Sequence, residues 1–121
     1  MKVLEIRVES LNDSFDKFRE VFNRALAGET VEKEEYIAVS SVEELNKLLS
    51  PKRIQLLNFL KRNKVNSVRE LSEKIGRDYK NVYTDLKLFE KLGIIKFEKV
   101  NGNLVPKVLY DELDIKVPLK S

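Results

Sequence analysis

The 121-residue chain contains no cysteine and no histidine. These absences exclude thiol nucleophiles, disulfides and histidine general bases, and they remove the usual ligand sets of structural or sensory zinc. A chain without cysteine also fits a reducing compartment, so we expect a cytoplasmic protein. The composition therefore disfavours catalysis and metal binding.

Long hydrophobic runs and phosphate-binding loops are missing as well. No apolar run approaches the roughly 20 residues that span a bilayer, so no membrane partner is expected. No glycine-rich loop suits a nucleotide phosphate. Neighbouring acidic residues such as Glu43 and Glu44 do not converge on one helical face, and capping and solvation account for them. We predict that the protein is not an enzyme and that it binds no cofactor and no metal.

Positive charge is concentrated in the middle of the chain. Residues 1–50 carry 7 Lys and Arg against 11 Asp and Glu, residues 51–110 carry 14 against 6, and residues 111–121 carry 2 against 3. A basic middle between acidic ends is the pattern of a nucleic-acid surface attached to a surface for another partner. The alternative is that these lysines and arginines only solvate helix faces.

The first 49 residues are predicted to form an accessory element that contains a strand, a helix and a second strand. Residues 3–8 alternate apolar and charged side chains, as a half-buried strand does. Residues 36–39 supply the second strand, and Ser41 with Glu44 forms a capping box for a further short helix. This element is the candidate for dimerisation.

The helix between these two strands carries a row of aromatic side chains. Asn12 or Asp13 is expected to cap its beginning, and Gly28 is expected to end it. Its apolar positions recur at helical spacing and are Phe15, Phe18, Phe22, Ala25 and Leu26. Because phenylalanine at this spacing usually faces the core, we expect the row to pack inward. The alternative is a surface for a protein partner.

Residues 111–121 are predicted to contain one more strand. Apolar and polar side chains alternate over residues 112–119, and Pro118 confines this strand to a sheet edge. A half-buried strand near each end of the chain needs a partner. The two strands can pair with each other, either within one chain or across a dimer.

The segment 50–110 begins with two capped helices. Ser50 caps the first, which has Pro51 at its first position, and Ser67 with Glu70 forms a capping box for the second. The expected buried positions are Ile54, Leu57 and Leu60 in the first helix, and Val68, Leu71 and Ile75 in the second. Gly76 ends the second helix in the left-handed conformation.

A third helix follows after a turn of three residues. Gly76, Arg77 and Asp78 form the turn, and Asp78 caps a helix that runs over residues 79–92. Its buried side is predicted to consist of Val82, Leu86 and Phe89. A turn this short holds two helices at a fixed large angle, as in a helix-turn-helix.

A basic hairpin completes the pattern. Gly93 ends the third helix, and strands over residues 95–100 and 104–109 pair across Asn101 and Gly102, the dipeptide best suited to a type I′ turn. We therefore predict an α+β fold in three parts. They are an accessory element over residues 1–49, a winged helix-turn-helix domain over residues 50–110 and a C-terminal edge strand over residues 111–121.

The outer face of the third helix suits the major groove of double-stranded DNA. There lysine meets phosphates or guanine acceptors, while threonine and tyrosine contact bases or sugars. As a wing, the basic hairpin is expected to extend the contact to backbone phosphates. The alternative is a solvated hairpin that only completes the core. The predicted DNA-binding residues are Arg77, Tyr79, Lys80, Tyr83, Thr84, Lys87, Lys91, Lys99 and Lys107.

The segments 49–53, 76–86, 90–95 and 110–115 resemble a family of predicted prokaryotic transcriptional regulators with a winged helix-turn-helix, which is related to the multiple-antibiotic-resistance-type repressors. The likeness extends over residues 37–119. It implies a DNA-binding regulator and supplies no ligand or operator. The repressors of that larger group dimerise through long terminal helices, whereas this chain ends in strands, so their dimer geometry is not carried over.

The leading hypothesis is a sequence-specific DNA-binding repressor that acts as a homodimer. The second is a protein-interaction module, such as an antitoxin-like or transcription-assembly subunit, whose acidic residues 1–50 bind a basic partner. An enzyme is the third hypothesis, and the absence of Cys, His and paired carboxylates on one face disfavours it.

Overall fold

A computed structural model describes residues 1–31 and 35–119 of the chain. Over these residues the protein is α+β, as the sequence predicts, with five helices and two sheets. In chain order the elements are β1 (Val3–Val8), α1 (Leu11–Leu26), β2 (Ile37–Val39), α2 (Val42–Leu48), α3 (Pro51–Arg62), α4 (Val68–Ile75), α5 (Tyr79–Lys91), β3 (Ile95–Val100), β4 (Asn103–Val108) and β5 (Glu112–Lys116). Among the described helices we find none with the length and hydrophobicity needed to cross a bilayer.

The chain divides into two compact units. One consists of Met1–Val3 and Leu49–Glu112, and the other of Leu4–Leu48 and Leu113–Ser121. The first unit contains α3, α4, α5 and the hairpin of β3 and β4. The second is built around the three-stranded sheet.

The three-stranded sheet has the order β2-β1-β5. β1 and β2 run parallel, with Ile6 opposite Ile37 and Val8 opposite Val39. Leu4 and Ile6 are buried, as their alternation with charged residues predicts. The strands near the two ends of the chain are therefore neighbours within one chain, which decides between the two pairings that the sequence left open.

Helix α1 differs from the sequence prediction in its cap and in its orientation. Ser10, rather than Asn12 or Asp13, is the N-cap, and its Oγ accepts a hydrogen bond from the amide N of Asp13 at 3.2 Å. The aromatic row does not pack inward, because none of the helix residues is buried. The polar side of α1 makes the contacts within this unit instead.

The last strand is shorter than its alternation predicts. β5 ends at Lys116, before Pro118, and the side chains of Val117 and Leu119 are exposed. Lys120 and Ser121, the last two residues of the predicted C-terminal segment, lie outside the described residues. The alternation continues beyond the point where the sheet offers a hydrogen-bonding partner.

The helix caps of the first unit, which contains α3, α4 and α5, agree with the sequence prediction. The side chains of Ser50, Ser67 and Asp78 accept hydrogen bonds from backbone amides three residues further on, at 3.4, 3.0 and 3.3 Å. The carboxylate of Glu70 reaches back one residue further than a capping box requires, and accepts from the amide of Asn66, just before the N-cap, at 2.9 Å. Each cap satisfies an amide that the helix itself leaves unpaired, so the helix beginnings are set locally.

The core of this unit is centred on α5. Val82, Leu86 and Phe89 have 0% of their surface exposed, which confirms the predicted inward side of this helix. Around them are the buried side chains of Leu56, Leu57, Val65, Val68, Leu71, Ile94, Ile95 and Val105. In α3 and α4 the prediction was partly wrong, because Leu56 is buried, whereas Ile54, Leu60 and Ile75 are only half-buried.

Two turns depend on residues with positive φ. Gly76 ends α4 with φ +68° and ψ +35°. Asn101 and Gly102 both have positive φ, as a type I′ hairpin turn requires, and Val100 lies opposite Asn103. The first turn connects α4 to α5, and the second directs the tip of the hairpin.

Replacing Gly76 with alanine is expected to lower the free energy of unfolding by about 1 kcal/mol, the cost of a left-handed conformation for a residue with a Cβ. Apart from its neighbours in the chain, no heavy atom lies within 4 Å of the place where a Cβ would stand, so this cost is in the backbone alone. Urea unfolding measures it. The control is Gly76→Asn, which tolerates positive φ and is expected to lose less. An alanine variant as stable as the original chain would contradict the assignment.

Candidate nucleic-acid interface

The outer side of α5 is exposed and basic. Burial of Val82, Leu86 and Phe89 turns the opposite side of the helix away from the core. The exposed side chains on that side are Lys80, Thr84, Lys87 and Lys91, and the half-buried Tyr83 lies at its edge. Tyr79 is exposed because it begins the helix. Six of the nine residues predicted to bind DNA thus lie on α5, and four of them are turned directly away from its buried side.

Three aromatic rings form a continuous row, which we call the aromatic ridge, from α5 to the hairpin. The rings of Tyr79 and Tyr83 stack with centroids 6.1 Å apart and planes 13° apart. The ring of Tyr83 in turn lies 6.5 Å from that of Phe97 on β3. Phe97 was not predicted as a site residue, because its position next to Tyr83 depends on how the hairpin docks on α5.

Two cations flank the aromatic ridge. The guanidinium carbon of Arg69 on α4 lies 5.4 Å from the centre of the Tyr79 ring, and Nζ of Lys87 lies 5.7 Å from the centre of the Phe97 ring. At these distances a cation is attracted to the ring faces. Arg69 was not predicted from the sequence either, since an exposed arginine on α4 carries no local signal.

Lys87 also forms an exposed ion pair on its own helix. Its Nζ donates a hydrogen bond to Glu90 at 2.8 Å. This hydrogen bond and the charge of Glu90 raise the pKa of Lys87 above its ordinary value. A lysine is a cation at neutral pH without this shift, so the ion pair does not change the charge that an anionic ligand would meet.

The hydroxyl of Thr84 is occupied within the helix. It donates to the carbonyl oxygen of Lys80, one turn earlier, at 2.9 Å. The hydroxyl oxygen keeps acceptor capacity, and the methyl group belongs to an exposed residue. Thr84 is therefore suited to apolar contact and to accepting a hydrogen bond.

A small cleft of about 270 Å³ lies beside the aromatic ridge. It is lined by Ser67, Val68, Arg69, Tyr79, Tyr83, Gly102, Asn103 and Leu104. The beginning of α4, the first turns of α5 and the tip of the hairpin thus surround one concave surface.

The two predicted hairpin lysines point to opposite faces. Side chains alternate along a strand, so Lys99 shares a face with Phe97. Lys107 lies directly opposite Lys96 in the register, on the other face. The structure therefore brings Lys99, but not Lys107, to the side of the hairpin that carries Phe97.

Arg77 lies away from the exposed side of α5. Its Nη2 donates to Asp85 at 2.8 Å, and Nε of Arg53 donates to the other carboxylate oxygen at 3.1 Å. Asp85 is only 8% exposed, and Nη1 of Arg77 is buried without a hydrogen-bond partner. This cluster joins α3, the turn before α5 and α5 itself. Arg53, although it follows only two residues after the start of α3, is part of it.

In a comparison with known protein families, residues 48–115 match the HVO_A0114 family. The match covers more than half of the chain. The chain belongs to the HVO_A0114 family. No curated protein matches the sequence.

The HVO_A0114 segment contains the whole candidate interface. The aromatic ridge, Arg69, all nine predicted DNA-binding residues and the cluster around Asp85 lie within residues 48–115. Helix α1 lies outside the matched segment. Among the described residues, no group of three or more acidic side chains is placed to hold a metal ion.

Proposed function

We propose that this protein is a sequence-specific regulator of transcription, a repressor, that binds double-stranded DNA through a winged helix-turn-helix. In this proposal α4, the turn at Gly76 and α5 form the helix-turn-helix, and the hairpin of β3 and β4 is the wing. The observation that carries the proposal is the anchoring of α5 by three fully buried side chains, with exposed lysines on the opposite side and tyrosines on the flank.

The chemistry of the exposed side matches that of a duplex. Lys80 and Lys87 suit phosphate oxygens or the major-groove acceptors of guanine, and Thr84 suits the methyl group of thymine. The rings of Tyr79 and Tyr83 supply flat surfaces for sugars. The pair of Lys87 with Glu90 is no obstacle, because an exposed ion pair contributes little and phosphate oxygens can take the place of the carboxylate.

Net charge supports the same proposal. Residues 51–110 carry 14 basic against 6 acidic side chains, whereas residues 1–50 are acidic. A basic module attracts the phosphate backbone through counterion release. Two copies of the chain would place their α5 helices about 34 Å apart, in successive major grooves on one side of the duplex.

Selection of bound fragments from random duplex DNA tests the proposal. We expect an enriched inverted repeat with half-sites about 10 base pairs apart, since two-fold protein symmetry is matched by a palindromic site. Affinity for the selected site should fall steeply as salt is raised. A purified chain that enriches no sequence and shifts no duplex at low salt would contradict the proposal.

Replacing Lys87 with alanine is expected to weaken DNA binding and to reduce the slope of log affinity against log salt by about 0.9, the value for one phosphate contact. Fluorescence anisotropy over a range of salt concentrations measures both. Glu90→Ala is the matched control, because it removes the same ion pair but leaves the cation in place. Equal slopes for the two variants would count against contact by Lys87.

A further inference from the structure

Helix α1 is attached to its own unit by its polar side. Ser14 donates to Glu9 at 3.0 Å, and Nζ of Lys17 donates to the hydroxyl of Tyr36 at 3.2 Å. The Tyr36 hydroxyl in turn donates to Glu9 at 2.8 Å. Burial by itself raises the pKa of Glu9, but the two hydroxyl donors and the charges of Lys17 and Arg7 lower the pKa below its ordinary value. The contact is thus formed around a buried carboxylate.

The apolar side of α1 is left in solvent. Phe15, Phe18 and Phe22 are 54%, 68% and 52% exposed, and the rings of Phe18 and Phe22 stack with centroids 6.1 Å apart. Leu11 and Leu26 are exposed at the two ends of the same side. We define the apolar stripe as Leu11, Phe15, Phe18, Phe22, Ala25 and Leu26. A contiguous exposed apolar patch of this kind is typical of a surface that binds a partner.

We propose that the apolar stripe of α1 is the surface on which a second copy of this chain docks, helix against helix. The spacing of the stripe supports a helical occupant. From Leu11 to Ala25 its members follow one another in steps of four, three, four and three residues. This average of 3.5 is the repeat that keeps a seam facing a partner helix in two-stranded packing. Helix α1 of a second copy has the same seam, so a two-fold interface would be self-complementary.

The area of the stripe is close to what such an interface needs. At about 200 Å² for each phenylalanine, the exposed fractions leave roughly 350 Å² of ring surface on each helix. A standard interface takes about 800 Å² from each partner. The exposed Leu11, Val21 and Leu26 beside the rings supply much of the remainder. Two paired stripes therefore approach the size of a specific dimer interface.

The charges of α1 favour a protein occupant over a lipid surface. Helices that lie on membranes are rich in lysine and arginine on their polar side. The acidic residues of α1, Asp13, Asp16 and Glu20, equal its basic residues, Lys17, Arg19 and Arg24, in number. A helix without net charge has no electrostatic attraction to anionic lipid.

Measurement of molar mass without DNA tests the proposal. Light scattering on the full chain at about 100 μM is expected to give twice the chain mass of 14.1 kDa. The double variant Phe18→Glu with Phe22→Glu is expected to give the chain mass. The carboxylates introduced into the two facing apolar stripes would repel one another and would remove the ring contacts. Asn23→Glu places the same side chain on another side of α1 and is expected to remain dimeric. Circular dichroism and thermal unfolding establish that all three proteins are folded.

Several outcomes would overturn the proposal. One is that the original chain is monomeric. This outcome would overturn the proposal even if the monomer binds phosphatidylglycerol vesicles or a different purified protein through α1. Another is a folded double variant that stays dimeric. The proposal supplies the interface for the dimer of the proposed function, but its readout contains no DNA. Failure of every variant to bind a single half-site would refute the proposed function and leave the mass result standing.

Discussion

Replacing Asp85 with alanine is expected to lower the free energy of unfolding by about 3 kcal/mol, because removal of the carboxylate leaves the buried guanidinium of Arg77 without its ion-pair partner. The carboxylate of Asp85 is paired with Arg53 at 3.1 Å and with Arg77 at 2.8 Å. All three side chains are mostly buried. Urea unfolding followed by circular dichroism measures the loss.

Two further variants test whether the loss of stability comes from the ion cluster or from the removal of any acidic side chain on α5. Glu90→Ala removes an exposed carboxylate from the same helix and is expected to cost less than about 1 kcal/mol. Adding Arg77→Met to Asp85→Ala removes the guanidinium that has lost its partner, and is expected to recover much of the stability. A loss for Asp85→Ala as small as that for Glu90→Ala would show that the cluster contributes little.

Reversing two charges on the outer side of α5, with Lys80→Glu and Lys87→Glu together, is expected to weaken binding of the selected DNA by at least about 100-fold, since two attractions to phosphates become repulsions. Both side chains are exposed, so the fold should tolerate the change. Anisotropy titration at fixed salt measures the affinity, and thermal unfolding shows whether the variant is folded.

A second reversal tests whether position or net charge is responsible. Arg24→Glu with Lys47→Glu changes the net charge by the same amount, on exposed residues of α1 and α2. We expect this variant to lose little affinity, because neither residue belongs to the proposed helix-turn-helix or wing. Equal losses in the two variants would mean that α5 is not the contact surface.

Much of the fold around α5 could be predicted from local signals. The side chains of Ser50, Ser67 and Asp78 begin helices because each satisfies a nearby amide, and that chemistry involves only residues four or fewer apart. Asn101 and Gly102 form the hairpin turn because both tolerate positive φ. The buried positions of α5 could be predicted because its apolar residues recur at helical spacing on a single side of the helix.

The candidate site could be predicted only in part, because several of its members depend on distant contacts. Phe97 joins the aromatic ridge only when the hairpin docks on α5. Arg77 looked like a DNA ligand from its place next to the helix, but Asp85 and the fold around it draw the guanidinium inward. Lys99 and Lys107 looked equivalent in sequence, and the strand register separates them.

The sequence by itself determined where most of the helices and strands of this protein begin and end, because caps, glycine turns and side-chain periods act over a few residues. Only the tertiary structure decided which side of α1 faces its own unit, which strands are neighbours and which cations remain in solvent. Helical period reports that α1 has an apolar side, but not whether that side meets the same chain. The buried carboxylate of Glu9 holds the polar side of α1 instead, through contacts with Tyr36 that are remote in sequence.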